Sequence, residues 1–139
     1  MGLGQLLMRS PITAGPSATL AEVAKLMEKE NVGAVVITDE ERPVGITTDR
    51  DLALAVCVYG KSPSESVQDV MTCPVATISV DEGIYNATQK LMEYAVRRLP
   101  VVDDSGSLVG LVSLDDLLLL ISRELQNVAE GVKAEVGVA

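Results

Sequence analysis

The chain has 139 residues, 47% of them hydrophobic, with a positive mean hydropathy; this is enough apolar material for one packed domain and excludes a disordered chain. It contains no Phe, Trp or His and only three Tyr, so Val, Ile, Leu, Met and Ala must fill the core and no imidazole can act as base or metal ligand. A formal net charge of −9 repels phosphate backbones over the surface as a whole, which argues against nonspecific nucleic-acid binding and requires any bound anion to be held by a local basic group.

In chain order, residues 1–8 show neither a basic leader nor a sustained apolar run, so no secretory signal is expected and a soluble, cytoplasmic protein is. Ser17 or Thr19 offers an N-cap, and Leu20, Val23, Ala24 and Met27 recur at helical spacing, predicting an amphipathic helix over 19–30. Val32 to Ile37 is a short β-branched run that reads as a buried strand; Asp39 to Pro43 is turn chemistry, and Val44 to Thr47 is the returning strand. Thr48 opens a helix to about Tyr59, and the polar stretch Gly60 to Ser66 places a boundary near residue 62. Beyond it the order repeats: a helix from Glu82 to Ala95 capped by Asp81, a strand from Leu99 to Val102, a hairpin turn at 103–106, a strand from Leu108 to Val112, and a last helix from Ser113 to about Ala129. Residues 131–139, with Gly131 and Gly137, are expected to fray, and Leu117 to Ile121 is too short to span a bilayer. Cys57 and Cys73 have no CxxC spacing and no His to complete a zinc set or a nucleophile pair; they read as two small buried apolar residues.

The repetition extends to individual residues. Met8 aligns with Met71 at an offset of 63, Val32 with Val96 at 64, and Thr48 with Ser113 and Asp51 with Asp116 at 65. One unit has been used twice, as residues 1–62 and 63–130. A unit of this size buries little surface alone, so the copies should pack together and create paired clefts between them.

Chemistry concentrates where a strand ends and a helix begins, at Gly45-x-x-Thr48-x-x-Asp51 and Gly110-x-x-Ser113-x-x-Asp116. Each is a capping box by pattern, the hydroxyl and the carboxylate serving the first helical turn. Each also puts a carboxylate at the rim of an apolar cleft, where it suits the vicinal hydroxyls of a ribose. No Cys–base pair, Walker loop or GxGxxG accompanies them, so a non-catalytic role is expected.

The ordered pattern M-x-x-P-[VI], L-M, V-x-x-[LV]-[PV]-V and G-[IL]-x-[TS]-x-x-D resembles the cystathionine-β-synthase-type (CBS) domain, and its duplication over residues 6 to about 125 resembles a Bateman module. The resemblance implies an α/β (α+β) fold of two βαββα units packed by their sheets about a pseudo-twofold axis. It also implies clefts for adenosyl nucleotides, no required cofactor, and signalling to an effector protein. Carried over by position, Thr48 and Asp51 would hold a ribose in one cleft, with Ile46 also binding the ligand and Val75, Ala76, Leu99 and Pro100 against the base. Ser113 and Asp116 would hold it in the other, with Val112 also binding the ligand and Ile12, Thr13, Gly33 and Ala34 against the base. The positions of Arg97 and Arg98 are basic in related modules and reach phosphates, whereas their first-unit counterparts are Gly33 and Ala34. Arg50 precedes Asp51 where Asp115 precedes Asp116, so the Asp51 cleft gathers three guanidiniums. At about 1.5–3 kcal/mol per charge-assisted hydrogen bond, AMP is expected to prefer that cleft. The alternative is a structural dimerisation module with empty clefts; a nucleic-acid-linked regulator lacks a basic patch or recognition helix. Leu114, Leu117 to Leu120 and Ile121, with Leu52, Leu54, Ala55 and Val56, give the two closing helices more apolar surface than one sheet can cover, so a homodimer through these helices is expected.

Overall fold

The structure, a computed structural model, describes residues 9–137; Met8, the first unit's counterpart of Met71, lies outside them. Each unit has the order βαββα. The first comprises β1 (Thr13–Ala14), α1 (Leu20–Glu30), β2 (Ala34–Asp39), β3 (Arg42–Thr48) and α2 (Asp49–Cys57). The second comprises β4 (Ile78–Ser79), α3 (Ile84–Glu93), β5 (Arg98–Val102), β6 (Leu108–Ser113) and α4 (Leu114–Val136). Two three-stranded sheets result, β1-β2-β3 and β4-β5-β6, each with its first pair parallel and its second antiparallel.

Local chemistry accounts for most boundaries. Thr19 rather than Ser17 caps α1: its hydroxyl accepts from the Glu22 amide and the Glu22 carboxylate accepts from the Thr19 amide, both at 3.1 Å. α1 ends on Asn31 in the left-handed region (φ 53°), with the Val32 amide donating back to the Met27 carbonyl. β2 and β3 are joined by Glu40 and Glu41, both left-handed, in a two-residue turn between the paired Asp39 and Arg42. In the second unit, Asp103 Oδ1 closes the equivalent turn by accepting from the amides of Ser105 and Ser107.

Strand alternation sorts the core into layers. Val35 and Ile37 of β2 meet Leu20, Val23 and Met27 of α1 and Leu52 and Ala55 of α2, and Leu99, Val101 and Val112 do the same against Ala87, Leu91 and Leu117. Val36 belongs to neither helix-facing cluster yet is fully buried, and its second-unit counterpart Pro100 is buried too. Both lie on the sheet faces that the two units turn toward each other. The units are also cross-stitched. Arg9 of the first exchanges backbone hydrogen bonds with Leu111 of β6 (3.3 and 3.1 Å), and Thr72, entering the second, does so with Ile46 of β3 (2.9 and 3.2 Å). Gly45 permits the second crossing, because a methyl there would fall 2.8 Å from Met71 Cγ. The stretch after residue 62 packs on the first unit, where Val67 is fully buried and its amide donates to the Ala18 carbonyl.

Several expectations are corrected. α3 is capped by Gly83 without any side-chain bond; Asp81 is exposed, and its neighbour Glu82 instead accepts from the Ser79 amide. Cys57 and Cys73 are both exposed, one at the outward end of α2 and the other in the loop leading to Pro74. α2 stops at Cys57, short of Tyr59, and α4 continues through Gly131 to Val136, ending on left-handed Gly137. From Ile121 onward every described residue of α4 is exposed.

Candidate functional site

The β3–α2 and β6–α4 junctions face the seam between the units, and each opens into a cleft. At the first, Thr48 and Asp51 form a complete capping box: Asp51 Oδ2 accepts from the Thr48 amide at 2.9 Å, and Thr48 Oγ1 accepts from the Asp51 amide at 3.2 Å. Asp51 Oδ1 has no partner among the described residues. α2 is anchored by the Asp49 amide, which donates to the Gly33 carbonyl at 3.1 Å, as the Leu114 amide does to Arg97 at 2.8 Å in the second unit.

The Asp51 cleft has a volume of about 340 Å³. Ile46, Thr48, Asp49, Arg50 and Asp51 supply one wall, and Thr72, Val96, Arg97 and Arg98 of the second unit supply the other. It adjoins a groove of about 530 Å³ that shares Ile46, Thr72, Val96 and Arg98 and adds Val75, Ala76, Lys90 and Tyr94. Together they offer the volume of a small-ligand site, about 300–1,000 Å³. Three guanidiniums face two carboxylates here. Arg97 pairs with Asp115 at 3.2 Å, but with both side chains about two-thirds exposed that pair holds it weakly.

The second junction differs in one contact. Ser113 Oγ accepts from the Asp116 amide at 3.1 Å, but the Asp116 carboxylate turns to Arg9, whose Nε and Nη2 both donate to Oδ1 at 3.1 and 2.8 Å. Asp116 is 6% exposed and shielded from water. The surrounding cleft, about 270 Å³, takes Pro11, Ile12, Gly33 and Ala34 from the first unit and Leu111, Ser113 and Asp115 from the second, with Arg98 reaching its edge. Its guanidiniums, Arg9 and Arg98, are balanced by Asp115 and Asp116.

The expected residues are thus brought together in part. Ile46, Thr48, Arg50, Asp51, Arg97 and Arg98 meet in one cleft with Val75 and Ala76 adjoining, and Ile12, Gly33, Ala34, Ser113 and Asp116 meet in the other. Leu99 and Val112 do not belong: both are fully buried on the helix-facing side of their sheet. Pro100 is buried between the sheets, and Thr13 is exposed on β1 outside the residues that line the Asp116 cleft. Sequence reasoning missed Arg9, Thr72 and Val96. Thr72 and Arg9 occupy equivalent places just after the repeated Met, a signal that was present, but only the crossed backbone shows that each serves the other unit's cleft.

Comparison with known proteins agrees with this geometry. The CBS domain model matches residues 3–57 and 67–123. Protein MK0525 of Methanopyrus kandleri is 36% identical over 96% of this chain and 69% of its own length. Among solved structures, the CBS domain pair of protein MJ0100 in complex with 5′-methylthioadenosine and S-adenosyl-L-methionine superimposes with a TM-score of 0.79 at 30% identity, covering 89% of this chain and 98% of that one. The CBS domain protein PAE2072 from Pyrobaculum aerophilum, complexed with AMP, gives 0.77 at 27% identity over 88% and 99%. With the motif duplicated, the sheets paired and both junctions opening onto the seam, the chain belongs to the CBS domain family and carries two such domains in tandem.

Proposed function

We propose that the chain is a non-catalytic regulatory module, with residues 1–62 and 63–130 as its halves, that binds an adenosyl nucleotide in the Asp51 cleft and signals to an effector protein by a change in how the halves sit. AMP leads among AMP, ADP, ATP and S-adenosylmethionine. One observation carries this reading: an accessible carboxylate with an uncommitted oxygen sits at the mouth of a two-unit cleft beside Arg50, Arg97 and Arg98. The carboxylate suits a ribose diol and the guanidiniums suit a phosphate. The related MJ0100 and PAE2072 structures, which hold adenosyl ligands, support it. No described helix is long and apolar enough to cross a membrane, and the cytoplasm would supply such nucleotides.

The test is calorimetric titration of AMP into the unaltered protein, Asp51→Asn and Asp116→Asn, with Asn chosen because it can still accept from the Thr48 amide. Asp51→Asn should weaken the tighter event at least about tenfold. Equal losses in the two variants refute the ranking of the clefts, and no heat in any refutes nucleotide binding.

A second reading, a dimerisation module, is favoured by α4. Leu118, Ile121, Leu125, Val128 and Val132 are all exposed and follow one another at intervals of three and four residues, the spacing of a helix-packing seam. The homodimer proposed through the helices after Asp51 and Asp116 would use it. Sedimentation equilibrium should give a dimer that Leu125→Glu converts to monomer; a monomeric unaltered protein at about 100 μM would remove this reading.

A further inference from the structure

We propose that Arg9 is an intramolecular competitor for the Asp116 carboxylate, so that a ribose entering the Asp116 cleft meets a carboxylate already engaged by the chain itself while the Asp51 carboxylate carries no such latch. The inference rests on the nucleotide-binding reading above and assigns Arg9 a role in deciding which cleft fills.

The guanidinium places two donors, Nε and Nη2, on a single oxygen of Asp116. Vicinal hydroxyls also present two neighbouring donors, and a carboxylate accepts either set in the same way. With Arg9 on Oδ1, only Oδ2 remains for a diol, so both cannot use the two oxygens of Asp116 at once. The arginine side chain is 73% exposed while that of Asp116 is 8% exposed, so little packing holds Arg9 in place, but its departure strands a desolvated carboxylate. A ligand that displaces it must replace both hydrogen bonds at the moment of entry.

The pseudo-symmetric site isolates the cause. Thr72 enters the second unit as Arg9 enters the first, with the same pair of backbone hydrogen bonds to the equivalent strand residue, Ile46 in place of Leu111. The backbone of both clefts is therefore laid out alike. Threonine carries no cation and lacks the reach of an arginine, and no cation pairs with Asp51 among the described residues. One side chain separates a carboxylate without a paired cation from one whose Oδ1 is held by a guanidinium.

The latch lowers apparent affinity by the fraction of molecules in which it is open. Calorimetry with AMP should give one equivalent for the unaltered protein, lost in Asp51→Asn. Arg9→Thr should add a second equivalent at least about tenfold tighter than any weak binding at that cleft before, and the double variant Arg9→Thr/Asp116→Asn should lose it again. Two equal equivalents before mutation overturn the proposal. So does weaker binding at the Asp116 cleft in Arg9→Thr, which would make Arg9 a phosphate ligand instead. A urea-unfolding double-mutant cycle between Arg9→Thr and Asp116→Asn checks the contact without any nucleotide. Coupling of about threefold or more in the unfolding constant is expected, and strict additivity overturns the latch. Coupling in a protein that binds no AMP at either cleft would sink the nucleotide reading and the latch with it, leaving the Arg9–Asp116 pair as a structural contact.

Discussion

Thr47 is fully buried, and its hydroxyl has no hydrogen-bond partner among the described residues. It pairs across the sheet with Val35, whose side chain lies in the core beneath α1 and α2, and its second-unit counterpart is Val112, fully buried in the equivalent layer beneath α3 and α4. The fold has thus accommodated valine at this position once already. Thr47→Val keeps the shape and the strand preference and exchanges an unpaired hydroxyl for a methyl. Relieving an unsatisfied buried hydroxyl contributes about 1–3 kcal/mol, and the added apolar surface makes the upper part of that range reachable. At about 2.1 cal/mol/K per residue of unfolding entropy, a chain of 139 residues converts each kcal/mol into about 3 °C, so Tm should rise by about 3–10 °C. Scanning calorimetry gives the shift, and urea denaturation with an unchanged m-value establishes that the folded state gained it. The reciprocal Val112→Thr should lose a similar amount. If Thr47→Val is neutral or destabilising while Val112→Thr costs 1 kcal/mol or more, the Thr47 hydroxyl is satisfied, by a buried water for example, and the reasoning fails.

Ala95 holds φ 52° just after α3, where the first unit has Asn31 at 53°; Ala95→Gly should stabilise by about 0.5–1 kcal/mol in urea denaturation, and no gain would mean that this backbone carries no strain. The Ser105 hydroxyl and the Ser107 amide, helped by the Ser105 amide and Arg42, hold the Asp103 carboxyl below its ordinary value of 3.8 against the opposing effect of burial. Because the folded value is the lower one, the associated stability is present above 3.8 and disappears as pH falls through the depressed value; an NMR titration should show this midpoint moving up in Ser105→Ala.

What the sequence disclosed followed from local rules. Thr48 with Asp51 is a capping box whose signal lies within four residues, Thr19 is one of two N-cap candidates for α1, and the duplicated motif exposed the βαββα order because its offsets drift so little. β1 and β4 are two residues each, paired in parallel to strands more than twenty positions away, and leave no periodic trace of their own. The errors at Leu99 and Val112 share one origin. β5 and β6 are apolar on both faces because one meets helices and the other meets the opposite sheet, so composition cannot tell which parity faces the cleft. Arg9 and Asp116 lie 107 positions apart, and their pairing depends on the crossing of the unit's first segment, which no local pattern encodes.

The two clefts differ less in what they offer a ligand than in what a ligand must first undo. A phosphate drawing Arg97 away from Asp115 breaks a pair between two exposed side chains, a loss of about 0–1 kcal/mol. A ribose at Asp51 can use Oδ1 and leave the capping bond between Oδ2 and the Thr48 amide intact, preserving about 1 kcal/mol of helix capping. At Asp116 only Oδ2 lies outside the pair with Arg9, and a ribose that grips both oxygens must displace that guanidinium from a carboxylate whose side chain is 8% exposed. A ligand shifts a conformational equilibrium only by the difference in its affinity for the two states. In the Asp51 cleft nearly all the contact energy with Arg50 and Arg98 would remain for drawing the second unit toward β3 and the start of α2, whereas in the Asp116 cleft much of it would be spent on the exchange with Arg9. The cleft that signals should therefore be the one whose walls carry the surplus of guanidiniums, and a neutral nucleoside, which cannot use that surplus, should bind there without moving the two units as far.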